Sequence, residues 1–122
     1  MRVLVVEDDF DTAEMLSVTF RMFGSEATAA TRGIEALRIA RELDPHLILL
    51  DIGLPDISGF EVVRQLRADS VTASRFIVAV SGWGHARDIA LAAEAGFDAH
   101  YTKPIDLAKI RHIIQAAEAR AL

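Results

Sequence analysis

Short apolar runs alternate with amphipathic stretches along the whole chain. "RVLVV" (2–6), "LILL" (47–50) and "FIVAV" (76–80) are uninterrupted and of strand length, the pattern of strands buried on both faces. "EATAAT" (26–31) predicts a weaker, small-residue strand, and "AHYT" (99–102) a short one. Between them the period becomes helical. Phe10, Leu16, Phe20 and Phe23 trace a helix stopped by Gly24, and a second helix runs from about Gly33 to Asp44-Pro45. Ser58 and Glu61 stand at capping-box spacing before a helix reaching about Ala68. "ARDIALAAEAG" (86–96) predicts an alanine-rich helix ended by Gly96. Asp106 caps a last helix, with Leu107, Ile110 and Ile113 or Ile114 turned inward. Phe10, Phe20, Phe23 and Phe60 read as core.

This is a strand–helix unit repeated five times with short connections. Such alternation implies an α/β domain with a parallel sheet, helices on both faces and right-handed crossovers. At 122 residues the chain reads as one domain, 1–122. Composition narrows the class. A hydrophobic fraction of 52% excludes disorder, and no apolar run approaches the roughly 20 residues that span a bilayer. The start "MRVLVVEDD" does not read as a signal peptide. The absence of cysteine removes thiolate chemistry and fits a reducing cytoplasm. A net charge of −5 argues against a nucleic-acid surface.

The residues that follow each strand carry the chemistry. Glu7, Asp8 and Asp9 follow the first, Asp51 the third, Ser81 the fourth and Lys103 the fifth. In a parallel sheet all carboxyl ends lie on one edge, and ligands bind there where strand order reverses. Residues up to 96 positions apart therefore converge. Clustered carboxylates shift toward protonation unless a cation joins them. Oxygen ligands without His or Cys suit a hard divalent ion, and Mg²⁺ fits best because it shares carboxylates with phosphate oxygens. Lys103 then supplies charge and Ser81 a hydrogen bond to a phosphoryl group. Asp51, isolated in sequence from the other acids, is the candidate nucleophile for an acyl phosphate.

From "VLVVEDD" through "LILLDIGLPDISGFEVV" and "FIVAVSG" to "GFDAHYTKPID", the whole chain resembles the receiver domain of two-component response regulators. The resemblance implies a CheY-like, flavodoxin-like (βα)5 fold with sheet order 2-1-3-4-5. It implies that Asp51 takes a phosphoryl group from the phosphohistidine of a histidine kinase or phosphotransfer protein. Asp8 would ligate Mg²⁺ directly, Glu7 through water, and Gly53 through its backbone carbonyl, leaving Asp9 as a helix N-cap. Ser81 and Lys103 would hold phosphoryl oxygens, and Lys103-Pro104 would be cis, which base rates alone do not suggest. Phosphorylation would change the binding of a downstream protein partner, with no direct nucleic-acid or membrane contact. Such a module catalyses only its own phosphorylation and dephosphorylation.

One position departs from the usual pattern. His100 stands three residues before the lysine, where many receivers carry Tyr or Phe, while Tyr101 faces the opposite side by strand alternation. His100 reads as a strand residue with a partly exposed ring. Trp83 reads either as an apolar cover for its loop or as a neighbour of the pocket. "GFDAHYTKP" is more similar to receivers of hybrid kinases, or those acting alone, than to those fused to DNA-binding domains. Two other readings compete. A haloacid-dehalogenase-like phosphohydrolase also uses a strand-end Asp, but usually carries a second Asp two residues later, where this chain has Gly53. A phosphorylation-independent scaffold would be expected to lose the Asp or the Lys, and both are present.

Overall fold

In the computed structural model, which describes residues 1–82 and 86–121, strands and helices alternate along the chain. They are β1 (Arg2–Val6), α1 (Phe10–Met22), β2 (Glu26–Ala30), α2 (Gly33–Leu43), β3 (Leu47–Asp51), α3 (Gly59–Ala68), β4 (Phe76–Ser81), α4 (Ala86–Ala95), β5 (Ala99–Thr102) and α5 (Leu107–Ala121). The sheet order is β2-β1-β3-β4-β5 and every pairing is parallel. This is the CheY-like flavodoxin fold. Asp51 and Ser81 fall inside their strands, and β2 stops at Ala30, one residue short of the expected end. Trp83 lies outside the described residues.

Strand alternation divides the core in two. Val3, Val5, Leu47, Leu49, Val78 and Val80 face α1 and α5. Leu4, Val6, Ile48, Leu50, Ile77 and Ala79 face α2, α3 and α4. All five residues of β3 are buried, as its apolar run requires. Over β1, β3 and β4 neither face is left to water, so their side chains remove apolar area worth roughly 25 cal/mol per Å². No helix among the described residues is long and apolar enough to cross a membrane.

Three inward assignments fail. Phe10 is 70% exposed and Phe23 38%, and only Phe20 of the α1 aromatics is fully buried. The buried stripe of α1 is Ala13, Leu16, Ser17 and Phe20, and Phe10 stands at the first position of the helix, before that stripe begins. Phe23 lies past the last turn, under the Arg111 guanidinium, 5.7 Å from the ring centroid. Leu107 is 60% exposed at the first position of α5, whereas Ile110, Ile113 and Ile114 are buried. Phe60 is half-buried and meets Phe97 edge-on. The caps follow the sequence more closely. Asp9 accepts from Thr12 N–H at 3.1 Å and Asp106 from Lys109 N–H at 2.9 Å. Ser58 accepts from Phe60 N–H, while Glu61 turns to Gln65 and Arg64.

The amino-terminal edge of the sheet is tied by Arg67 of α3. Its guanidinium donates to the carbonyls of Gly96, Ala73 and Arg75 and to the Asp98 carboxylate, at 2.7–2.9 Å. Asp98 also accepts from Ile77 N–H at 2.8 Å. The end of α3, the entry to β4 and the α4–β5 turn are thereby fixed to one another.

Candidate functional site

The carboxyl ends of β1, β3 and β5 bring Glu7, Asp8, Asp51 and Lys103 together. One carboxylate oxygen from each of Glu7, Asp8 and Asp51 lies within 4.8 Å of the others, with Glu7 and Asp51 buried and Asp8 exposed. Lys103 Nζ donates to Asp51 Oδ2 at 2.7 Å and lies 3.2 Å from a Glu7 carboxylate oxygen. The backbone builds this convergence. Glu7 N–H bonds Ala30 O, Ile52 N–H bonds Val80 O, and Lys103 N–H bonds Ser81 O at 2.8 Å. Gly53 donates its N–H to Asp51 Oδ1 at 2.9 Å, which fixes the plane of that carboxylate. The Lys103-Pro104 bond is cis.

The electrostatics are those of an acid cluster with one lysine set against it. Burial first, then the hydrogen bond and charge of Asp51, push the Glu7 carboxyl up to about 7, with Lys103 pulling the other way. Burial works against ionised Asp51 too. Hydrogen bonds from Glu7, Lys103 and Gly53 outweigh it and hold Asp51 below the usual carboxylate range. The two neighbouring carboxyls are thus pushed in opposite directions, Glu7 up and Asp51 down. Burial would lower Lys103, but Asp51 and Glu7 raise it, so it stays charged. An all-oxygen donor set of this kind fits a hard divalent cation.

Ser81 is placed differently. It is buried on β4, one residue beyond the pairing of Asp51 with Val80. Its hydroxyl lies 2.7 Å from His100 Nε2 on β5. The expected half-buried ring is there, but its bond to the Ser81 hydroxyl was not foreseen. The only sequence signal for it is the equivalent strand position, two residues apart in the β4–β5 register. Burial, with Asp88 opposing, lowers the His100 pKa. Tyr101 faces the other side, as alternation requires, and hydrogen-bonds His112 of α5. Beside the acids, a cavity of about 360 Å³ opens between α1 and Pro104-Ile105, floored by Val5, Leu49 and Val80.

The loop after Asp51 is held from outside by a residue the sequence did not single out. Asp56 accepts from the Gly33 and Ile34 N–H groups at 2.8 and 2.9 Å and so caps α2 from a distant segment. The Ile34 N–H bond is the leading cause that holds its pKa down to about 2. The folded value is below the unfolded one, so this stabilisation is present above about pH 4 and is lost as pH falls toward 2. Asp56→Asn should therefore cost about 1 kcal/mol, the usual worth of a cap, at pH 7. The difference from wild type should close in urea melts repeated down to pH 2.

With this geometry in place, relatives can be compared. Residues 3–115 match the family described as response regulator receiver domain. The DNA-binding response regulator MtrA of Mycobacterium tuberculosis is 38% identical over 119 residues, covering 98% of this chain and 50% of MtrA. The chain thus spans about half the length of that relative. The polar-differentiation response regulator DivK of Brucella ovis is 32% identical, covering 93% of each chain. A CheY-like receiver domain structure from Methylobacillus flagellatus superposes with a TM-score of 0.84 at 33% identity, covering 96% of this chain and 98% of that one. Relatives of both kinds match, fused and co-extensive. These relatives thus include a DNA-binding regulator and one that this chain covers almost end to end.

Proposed function

The chain belongs to the response regulator receiver domain family, and from that premise we propose that it is a signalling module switched by phosphorylation of Asp51. The supporting observation is the 2.7 Å contact of Lys103 Nζ with a buried Asp51 carboxylate that is kept ionised among other acids. An Asp51 oxygen attacks the phosphorus of a phosphohistidine presented by a histidine kinase or phosphotransfer protein. The P–N bond breaks, the imidazole nitrogen leaves with the electron pair, and an acyl phosphate remains on Asp51. Lys103 follows the new phosphoryl oxygens, and the Ser81 hydroxyl supplies a hydrogen bond to them.

Glu7, Asp8, Asp51 and the Gly53 carbonyl are the groups that would hold Mg²⁺, with Glu7 acting through water. Bound there, the ion would offset the charge of the acids and of the phosphoryl oxygens. The position two residues after Asp51 holds Gly53, whose N–H bonds the carboxylate. No acid stands there to protonate the leaving group of a small substrate, which weighs against a phosphohydrolase. A scaffold that ignores phosphorylation would not need an ionised Asp51 beside a charged lysine.

The test is incubation of the protein with acetyl phosphate, with and without Mg²⁺, followed by intact mass. One phosphoryl adduct that needs Mg²⁺ and is released by hydroxylamine, as an acyl phosphate is, supports the reading; no adduct overturns it. A second measurement checks the acid register. Asp9 is engaged with Thr12 through both N–H and hydroxyl. Asp9→Ala should therefore keep Mg²⁺ affinity and lose only the stability its helix cap supplies, whereas Asp8→Ala should lose the ion in calorimetric titration. The reverse result would move the metal site by one residue.

A further inference from the structure

Lys109 occupies an unfavourable place for a cation. It lies in the first turn of α5, behind the Asp106 cap, where the helix dipole is positive. Its side chain runs back out of the helix. Nζ donates to the carbonyl of Thr102 at 2.6 Å and to that of Pro104 at 2.9 Å. These carbonyls flank Lys103 on either side, and Lys103 N–H is itself bonded to Ser81 O at 2.8 Å. The chain around Lys103 is therefore pinned at three consecutive residues, two of them by one ammonium group. Both bonds are charge-assisted, the stronger kind of hydrogen bond.

We infer that Lys109 is a positioning residue for Lys103, setting the direction from which that lysine reaches the Asp51 carboxylate and its phosphoryl group. The inference rests on the proposed phosphorylation of Asp51. Lys103 has a long side chain with several rotatable bonds. Its 2.7 Å contact is reproducible only if the backbone that carries it does not swing. Without Lys109, the carbonyls of Thr102 and Pro104 turn to water and the loop acquires freedom along the β5 edge. A misplacement of about 1 Å in a group that stabilises a transition state can cost on the order of a hundredfold in rate. The backbone that carries the acids is held by its own bonds, Glu7 N–H to Ala30 O and Ile52 N–H to Val80 O, so metal affinity and phosphoryl transfer should separate.

The experiment uses the whole chain with three side chains at position 109: wild type, Lys109→Met and Lys109→Arg. Phosphoryl uptake from acetyl phosphate is timed by intact mass at saturating Mg²⁺, and Mg²⁺ affinity is measured by calorimetry. Lys109→Met should slow uptake about tenfold while Mg²⁺ affinity stays within about twofold. Lys109→Arg, which can still donate to two carbonyls, should recover most of the rate. Unchanged uptake in Lys109→Met, an equal fall in metal affinity, or an arginine variant no better than methionine would each overturn the inference. Should Lys109→Met fail to fold, Lys109→Gln replaces it under the same criteria. If the wild type itself takes up no phosphoryl group, the phosphorylation of Asp51 fails and this inference falls with it.

Discussion

Asp51→Asn should take up no phosphoryl group from acetyl phosphate under conditions where the wild type acquires one. The amide has the shape of the carboxylate, and its oxygen can still accept the Gly53 N–H that now reaches Asp51 Oδ1. What it lacks is a nucleophilic anion, and an amide oxygen cannot take its place at neutral pH. The loss should exceed about a hundredfold, the scale on which a reacting group is distinguished from its supports. Fold should survive, because the buried neighbours of β3 are untouched. A second effect distinguishes this variant from simple damage. The charge of Asp51 and its hydrogen bond contribute to the raised pKa of Glu7, so in Asp51→Asn the Glu7 carboxyl should titrate lower, a shift readable by carboxyl-carbon NMR. An adduct of equal yield on the variant would move the acceptor elsewhere, with Asp8 the next acid to test.

Gly59→Ala should be the most damaging single-methyl change near the site. A Cβ there would lie 2.6 Å from Ile52 Cα and 2.7 Å from Asp51 O, both main-chain atoms. Gly59 N–H also bonds Ile52 O at 2.9 Å, so the first turn of α3 is drawn against the end of β3. Neither side can yield by rotating a side chain. The helix must back away or the strand end must shift, at a cost of about 2–3 kcal/mol. For a domain of this size the melting temperature should fall by roughly 10 °C. Phosphoryl uptake should also slow, because the displaced backbone carries Asp51. Gly33→Ala offers the control. Its Cβ would meet Ile57 Cγ1 at 2.7 Å and Val62 Cγ2 at 2.8 Å, so it displaces two β-branched side chains and no main chain, and should cost less than Gly59→Ala. Equal losses in the two variants would show that the Gly59 approach is not special.

Most of the fold and much of the site were legible in the sequence. The run "LILL" leading into Asp51 is buried along its whole length. A strand that must be apolar on both faces can show its chemistry only at its end. The residue pattern also located the cap Asp106, and the resemblance left Asp9 as the other; a helix start is a local event in which a side chain meets backbone three residues on. The orientation of helix ends was less legible. Phe10, Phe23 and Leu107 are apolar at positions that continue a helical stripe, yet each lies at or past a terminus, where the sheet no longer covers the helix. Spacing reports a face and not how far the covering sheet extends.

The alternation of apolar runs and amphipathic stretches determined five parallel strands, and parallel strands in turn gathered Glu7, Asp8, Asp51 and Lys103 at one edge. That inference needs only the period of each segment and the right-handedness of crossovers. Tertiary structure alone decided the ties that hold the edge in working shape. Asp56 reaches across to α2, His100 meets the Ser81 hydroxyl, and Lys109 closes on the carbonyls beside Lys103. Arg67 fastens three segments at the far end. Each is a polar side chain meeting a partner, often a backbone group, whose identity leaves no mark in the sequence. Every residue offers the same N–H and C=O, so only the folded path of the chain selects which of them a given side chain will meet.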